Sequence, residues 1–138
     1  ARARAEHNEY EAALRALGFE VRRLTSGPDM PDSVFIEDAA VVLDELAVIM
    51  RPGAESRRVE TAAVAEAVRS YRPVAAILAP GTLYGGDVLR IGNRLFVGGG
   101  YRSNDAGIKQ LGAIVDSLRT VIHANTALEQ FHRERARS

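Results

Sequence analysis

What most restricts the fold of this chain is that it repeats itself. Two apolar runs, Leu46-Ala47-Val48-Ile49 and Arg94-Leu95-Phe96-Val97, lie about 48 residues apart in matching surroundings. In the first copy, "FIEDAAVVL" and "LAVIM" read as two strands around Asp44-Glu45. "RPGAES" follows as a loop, "RRVETAAVAEAVRSY" as a helix and "PVAAIL" as a closing strand. In the second copy, "GDVLRI" and "RLFVG" flank Gly92-Asn93, two residues that both suit the positive φ angles of a tight hairpin. "GGYRS" is then the loop, "NDAGIKQLGAIVDSL" the helix and "RTVIHA" the strand. Paired strands ahead of each helix argue against a doubly wound sheet, in which strands and helices alternate singly. A unit of this size cannot bury its own apolar face, so units must stack or surround an axis.

The expected fold class is therefore α/β, with ββαβ units as the building block. Residues 32–79 and 80–124 form two such units. Residues 1–26 read as the remnant of another, with a helix over 5–17 that places Tyr10, Ala13, Leu14 and Leu17 on one face. Gly18 caps that helix and "FEVRRL" alternates like a strand. "NTALEQFHRERARS", residues 125–138, reads as a helical tail capped by Asn125 or Thr126. All of it fits one domain, since 138 residues can bury a real core.

Eighteen basic and eighteen acidic side chains cancel, so no global field draws the chain to nucleic acid or an anionic membrane. There is no cysteine, which removes disulfides, thiolate metal sites and a thiol nucleophile from these residues. The start of the chain lacks an apolar leader, and no stretch reaches the length of a membrane span, so the default expectation is a cytoplasmic location. His7, His123 and His132 lack metal-ligand spacing, and "GGGYR" lacks the spacing of a nucleotide loop. Neither a metal nor a cofactor is expected. Of the histidines, His123, at a strand end, is the one for which catalysis is conceivable.

Glu37 and Asp38 stand side by side in the first strand pattern. Both are poor strand residues, and strand neighbours point to opposite faces, so one carboxylate should face inward and need a cationic partner. Arg57 and Arg102 occupy matching places in the two copies, each after a Gly-containing loop and at the start of a helix. Their donors, with the helix N-terminus, suit a carboxylate or phosphate. Together these groups suggest a pocket for a small zwitterion. The alternatives are an exposed strand end, a pairing within the fold, and solvated first-turn arginines. Gly85-Gly86 permits either a close backbone approach or a plain bulge, with Asp87 as a polar group at the strand entrance.

"DSVFIEDAAVV…AVIMRPGAESRR" followed by "GTLYGGDVLRIGNRLFVGGGYRSNDAGI" closely resembles the N-terminal half of dimethylarginine dimethylaminohydrolases. These belong to the guanidine-modifying (pentein) superfamily with arginine deiminases and amidinotransferases. The likeness runs from roughly residue 6 to residue 122. It implies an α/β-propeller of five ββαβ units, of which this chain would hold about two and a half. It implies that Asp38 holds a substrate guanidinium with Glu37 beside it, that Asp32 contacts the amino-acid end, and that Arg57 and Arg102 clamp the α-carboxylate.

The mechanism it implies is covalent: a cysteine thiolate attacks the guanidinium carbon, a histidine moves protons, and an acid orients the histidine. Three features depart from that pattern. The cysteine belongs to the last unit, outside these residues. The histidine's place falls near Leu128, with His123 displaced from it. The acid's place, just ahead of Gly85-Gly86, holds Tyr84, a phenol uncharged near neutral pH. The expectation is a recognition half that is inactive by itself and takes an arginine-like small molecule. Open sheet edges would favour a homo-oligomer or a complementing chain. The alternative is a non-catalytic oligomerising or scaffold module.

Overall fold

The structure, a computed structural model, describes residues 2–24 and 30–117. The chain opens with helix α1 (Arg2–Ala16). Gly18 ends it at φ 88°, the left-handed position that glycine takes without a Cβ penalty. The amides of Gly18 and Phe19 then donate to the carbonyls of Arg15 (2.9 Å) and Leu14 (3.1 Å). The expected apolar stripe is not what this helix buries. Tyr10 and Leu17 are exposed, and the buried residue is Glu11. Arg23 at 2.7 Å, Arg15 at 3.1 Å and His7 at 3.3 Å surround its carboxylate.

The strand expected at "FEVRRL" does not form. Residues 19–24 belong to no sheet, and Arg23 turns instead to Glu11 and Asn8. Alternation makes a segment eligible for a sheet, but only a neighbouring strand makes it one.

Strands β1 (Ala40–Val42), β2 (Ala47–Ile49) and β3 (Val74–Ala76) form a sheet in the order β1-β2-β3. β1 pairs antiparallel with β2, Val41 opposite Val48, and β3 pairs parallel with β2, Ala75 opposite Val48. Helix α2 (Glu60–Arg69) supplies the crossover that a parallel pair requires. All three β2 residues are buried, as a central strand covered on both faces demands. The first strand is shorter than its apolar pattern suggested. Ile36–Asp38 form a 3-10 turn, so Glu37 and Asp38 are not strand neighbours, and the opposite-faces argument does not apply to them.

In the second repeat, β4 (Val88–Ile91) and β5 (Arg94–Val97) form the expected antiparallel hairpin. Ile91 pairs with Arg94, leaving Gly92-Asn93 as a two-residue loop. Of the two, only Gly92 has positive φ (57°), the pattern of a type II′ turn and not of a type I′ turn. Helix α3 covers residues 105–117. The expected closing strand at 119–124, the tail at 125–138, His123 and Leu128 lie outside the described residues. No described helix is long and apolar enough to cross a membrane.

One core serves both repeats. Leu46, Val48 and Met50 from the first pack with Leu83 and Leu111 from the second, and Val88, Leu95 and Val97 close over them from the hairpin. The opposite hairpin face leaves Leu89, Ile91 and Phe96 exposed. At the ends of β2 and β5 the loops that lead to α2 and α3 come together. A Cβ on Gly53 would stand 3.1 Å from the Arg102 carbonyl oxygen.

Candidate ligand cleft

Three short turns meet where the repeats join: Ile36–Asp38, Glu55–Arg57 and Gly85–Asp87. Arg57 closes the second of them, three residues ahead of α2 proper, and its side chain is 10% exposed. Its Nη1 donates to Asp38 Oδ2 at 2.6 Å. Nη2 and Nε donate to Glu60 Oε2 at 2.9 and 3.2 Å, and Nη2 also reaches the Asp32 carbonyl at 3.1 Å. Burial disfavours the charge of this guanidinium, but the hydrogen bonds to Glu60 and Asp38 outweigh it and hold Arg57 more basic than usual.

Asp38 also ties the repeats together, because its Oδ1 accepts the Gly86 amide at 3.2 Å. Beside it, a Cβ on Gly85 would strike the Glu37 carbonyl oxygen. The glycine pair is thus a close backbone approach rather than a plain bulge.

Arg102 is about half exposed and donates from Nη2 to Asp87 Oδ1 at 3.1 Å. Ser103 Oγ donates to Asp87 Oδ2 at 2.6 Å and accepts the Tyr84 amide at 3.2 Å. The buried Tyr84 ring is flanked by both arginines, with guanidinium carbons 5.6 Å (Arg57) and 4.9 Å (Arg102) from its centroid. These are cation–π distances. The Tyr84 hydroxyl accepts the Ala54 amide at 3.1 Å.

These residues border a cleft of about 860 Å³ lined by Asp32, Asp38, Arg57, Tyr84, Arg102 and Asn104, among others. The cleft thus brings together Asp32, Asp38, Arg57 and Arg102. Glu37 is exposed and is not part of its lining. Asp32 is exposed as well, and it serves Arg57 through its carbonyl. Sequence reasoning did not single out Glu60, whose place three residues after Arg57 on the helical register was the available signal. Nor did it foresee Tyr84 as a platform between two arginines, or the Ser103–Asp87 pair.

No family model matches the chain. The dimethylarginine dimethylaminohydrolase of Streptomyces coelicolor is 53% identical over 110 residues, covering 79% of this chain and 43% of that protein. The Pseudomonas aeruginosa enzyme of the same name is 37% identical over 139 residues, covering 93% of this chain and 55% of its own. A cysteine-to-serine variant of the P. aeruginosa enzyme, solved with citrulline, superposes with a TM-score of 0.77 at 38% identity, over 82% of this chain and 45% of that one. The chain belongs to the guanidine-modifying superfamily. An amidinotransferase of the saxitoxin pathway from Microseira wollei (TM-score 0.68, 18% identity, 83% of this chain and 46% of that one) shares the superfamily's mixed α/β fold. The chain spans about half the length of the curated relatives it matches.

Proposed function

We propose that the cleft recognises an arginine-type zwitterion. Its guanidinium lies toward Asp38, with Glu37 at the rim on that side and Asp32 toward the amino end, and its carboxylate lies toward the Arg57–Arg102 side. The observation that carries this reading is the opposition of charge within one cleft, Asp32 and Asp38 against a half-exposed Arg102. The superfamily relatives support it, since one of them is solved with citrulline.

Recognition is proposed without turnover by this chain alone. Guanidine hydrolysis through a thiolate needs a cysteine from outside these 138 residues. The reading also includes an incomplete propeller of about two and a half units that associates with a second copy or a complementing chain. The exposed Leu89, Ile91 and Phe96 support that association, and they are what favours a scaffold role as the second reading.

Calorimetric titration of the chain with L-arginine, methylated arginines and citrulline tests the proposal. Binding at or below millimolar ligand, weakened at least about tenfold by Asp38→Asn, is expected. Absence of binding by all of them at millimolar concentration would falsify it and leave the scaffold reading.

A further inference from the structure

The loops that lead from β2 and from β5 into the cleft hold matching places in the repeats but are built in opposite ways. The first, residues 52–54, is pinned along its length. Pro52 is buried, its carbonyl and that of Gly53 accept the Arg58 guanidinium at 3.1 and 3.4 Å, and the Ala54 amide donates to the Tyr84 hydroxyl. The second, residues 98–102, is tied more loosely. The Gly98 amide donates to the Asp87 carbonyl and the Gly100 amide to the Ser103 carbonyl, each at 2.9 Å. The amides of Gly99 and Tyr101 have no acceptor among the described residues. Beyond the loop the chain is fixed again, since Ser103 is 1% exposed and its hydroxyl is held by Asp87 and the Tyr84 amide.

Nothing in this conformation requires Gly98, Gly99 or Gly100 to be glycine. None has a positive φ. A Cβ on Gly98 would stand 3.8 Å from the nearest atom, one on Gly99 3.6 Å from Ile108 Cδ1, and one on Gly100 would meet nothing within 4 Å. Glycine loses more backbone freedom on folding than any other residue, so three in a row weaken a loop that uses a single conformation. Their freedom serves a loop that uses two. The side chain next to them is Tyr101, which lines the cleft and yet is 97% exposed.

We propose that residues 98–101 form a lid, which turns at the glycines when the cleft is occupied and lays the Tyr101 ring over the ligand. The proposal rests on the arginine-type reading above and adds to it how the ligand is enclosed. A phenol ring suits a cation with an apolar chain, because its face attracts a guanidinium and its area keeps water out. Closure gives up one backbone bond, from Gly100 to Ser103, and leaves Ser103 in place. The pinned loop of the first repeat has no such freedom.

Nitration of the full chain with tetranitromethane, mapped by peptide mass, tests the movement. Saturating L-arginine is expected to slow nitration of Tyr101 by about fivefold or more and to leave Tyr10 and Tyr71, which are also exposed, unchanged. Gly99→Ala/Gly100→Ala stiffens the hinge without a clash in the open form. It should melt no lower than wild type, since alanine restricts the unfolded chain. Yet it should lose the protection and bind arginine about fivefold more weakly by calorimetry, because the closed form draws on backbone angles that alanine avoids. Tyr101→Ala should weaken binding by a similar factor, and Tyr101→Phe should keep most of it. Should the double variant melt lower, nitration of wild type and the Tyr101 variants decide. The proposal is overturned if bound arginine leaves Tyr101 nitration unchanged, if Tyr101→Ala binds as tightly as wild type, or if the double variant keeps both protection and affinity. Each of those results leaves arginine recognition standing, because wild type still binds. No binding by wild type at millimolar arginine removes that reading and the lid with it.

Discussion

Glu60 holds Arg57 through a single carboxylate oxygen, at 2.9 Å to Nη2 and 3.2 Å to Nε, with both side chains about nine-tenths withdrawn from water. Removing one partner of a buried ion pair costs about 3–5 kcal/mol in general, because a charge is left behind without compensation. Here Asp38 remains, so Glu60→Ala is expected to cost about 2–3 kcal/mol, read as a lower urea midpoint at unchanged slope. A loss under about 0.5 kcal/mol would mean that water replaces the carboxylate freely. Arg57 and Asp38 could be singled out in the sequence as charges in need of partners, and the structure pairs them with each other, the pairing within the fold that stood as the alternative to a ligand pocket. Glu60 could not, since a glutamate in a helix's first turn is already accounted for by the helix dipole. Tyr84 could be read only as a missing acid. Its place between two guanidiniums depends on three turns converging, which spacing within either repeat does not encode.

At the scale of elements, the hairpin and the glycine cap were legible because each is decided within a few residues. The strand at 19–24 was misread because a strand needs a neighbour that no local pattern supplies. Helix α1 illustrates the same limit, since it buries a carboxylate where its periodicity offered an apolar stripe. The hydrogen bond from Arg23 holds the Glu11 carboxyl below the usual range, with burial opposing and the charges of Arg23 and Arg15 adding to the lowering. A carboxyl depressed in the folded state binds fewer protons there than in the unfolded chain. Its contribution is therefore complete above the unfolded value, about 4.3, and is lost as pH falls through the lower folded value. The melting temperature should hold steady from about pH 7 to 5 and then drop. In Glu11→Gln the drop should be shallower, though not absent, because Asp44 is likewise lowered by its hydrogen bond from Arg90. Parallel acid limbs for wild type and variant would show that the Glu11 cluster makes no contribution of its own.

For the whole molecule, the join between the repeats and the candidate cleft are the same place. The Leu83 amide donates to the Arg51 carbonyl at 2.9 Å and the Gly86 amide to Asp38, while Arg90 reaches Asp44 at 2.9 Å at the far, turn end of β1 and β2, away from the cleft. Leu83 is wholly buried in the shared core, so these polar links and the core are expected to unfold as one cooperative unit. Gly85 is where that unit has no slack. A Cβ there meets the Glu37 carbonyl and stands 3.0 Å from the Ala40 carbonyl, both of them backbone that cannot move without shifting the turn that carries Asp38. At Gly86 the nearest obstacle is the carboxylate end of Asp38, a side chain that can shift at the expense of its bonds to Arg57 and Gly86 without moving the backbone. Gly85→Ala should therefore cost about 2 kcal/mol or more, and Gly86→Ala clearly less. Because the displaced turn holds both the join and Asp38, Gly85→Ala should lower arginine affinity and melting temperature together. Thermal melts followed by both far- and near-ultraviolet circular dichroism, alongside calorimetry, separate the possibilities. Coincident transitions shifted downward with weakened binding support a single unit joined at the cleft. If Gly85→Ala instead melts like wild type, the close approach of the two turns is not what holds the repeats together.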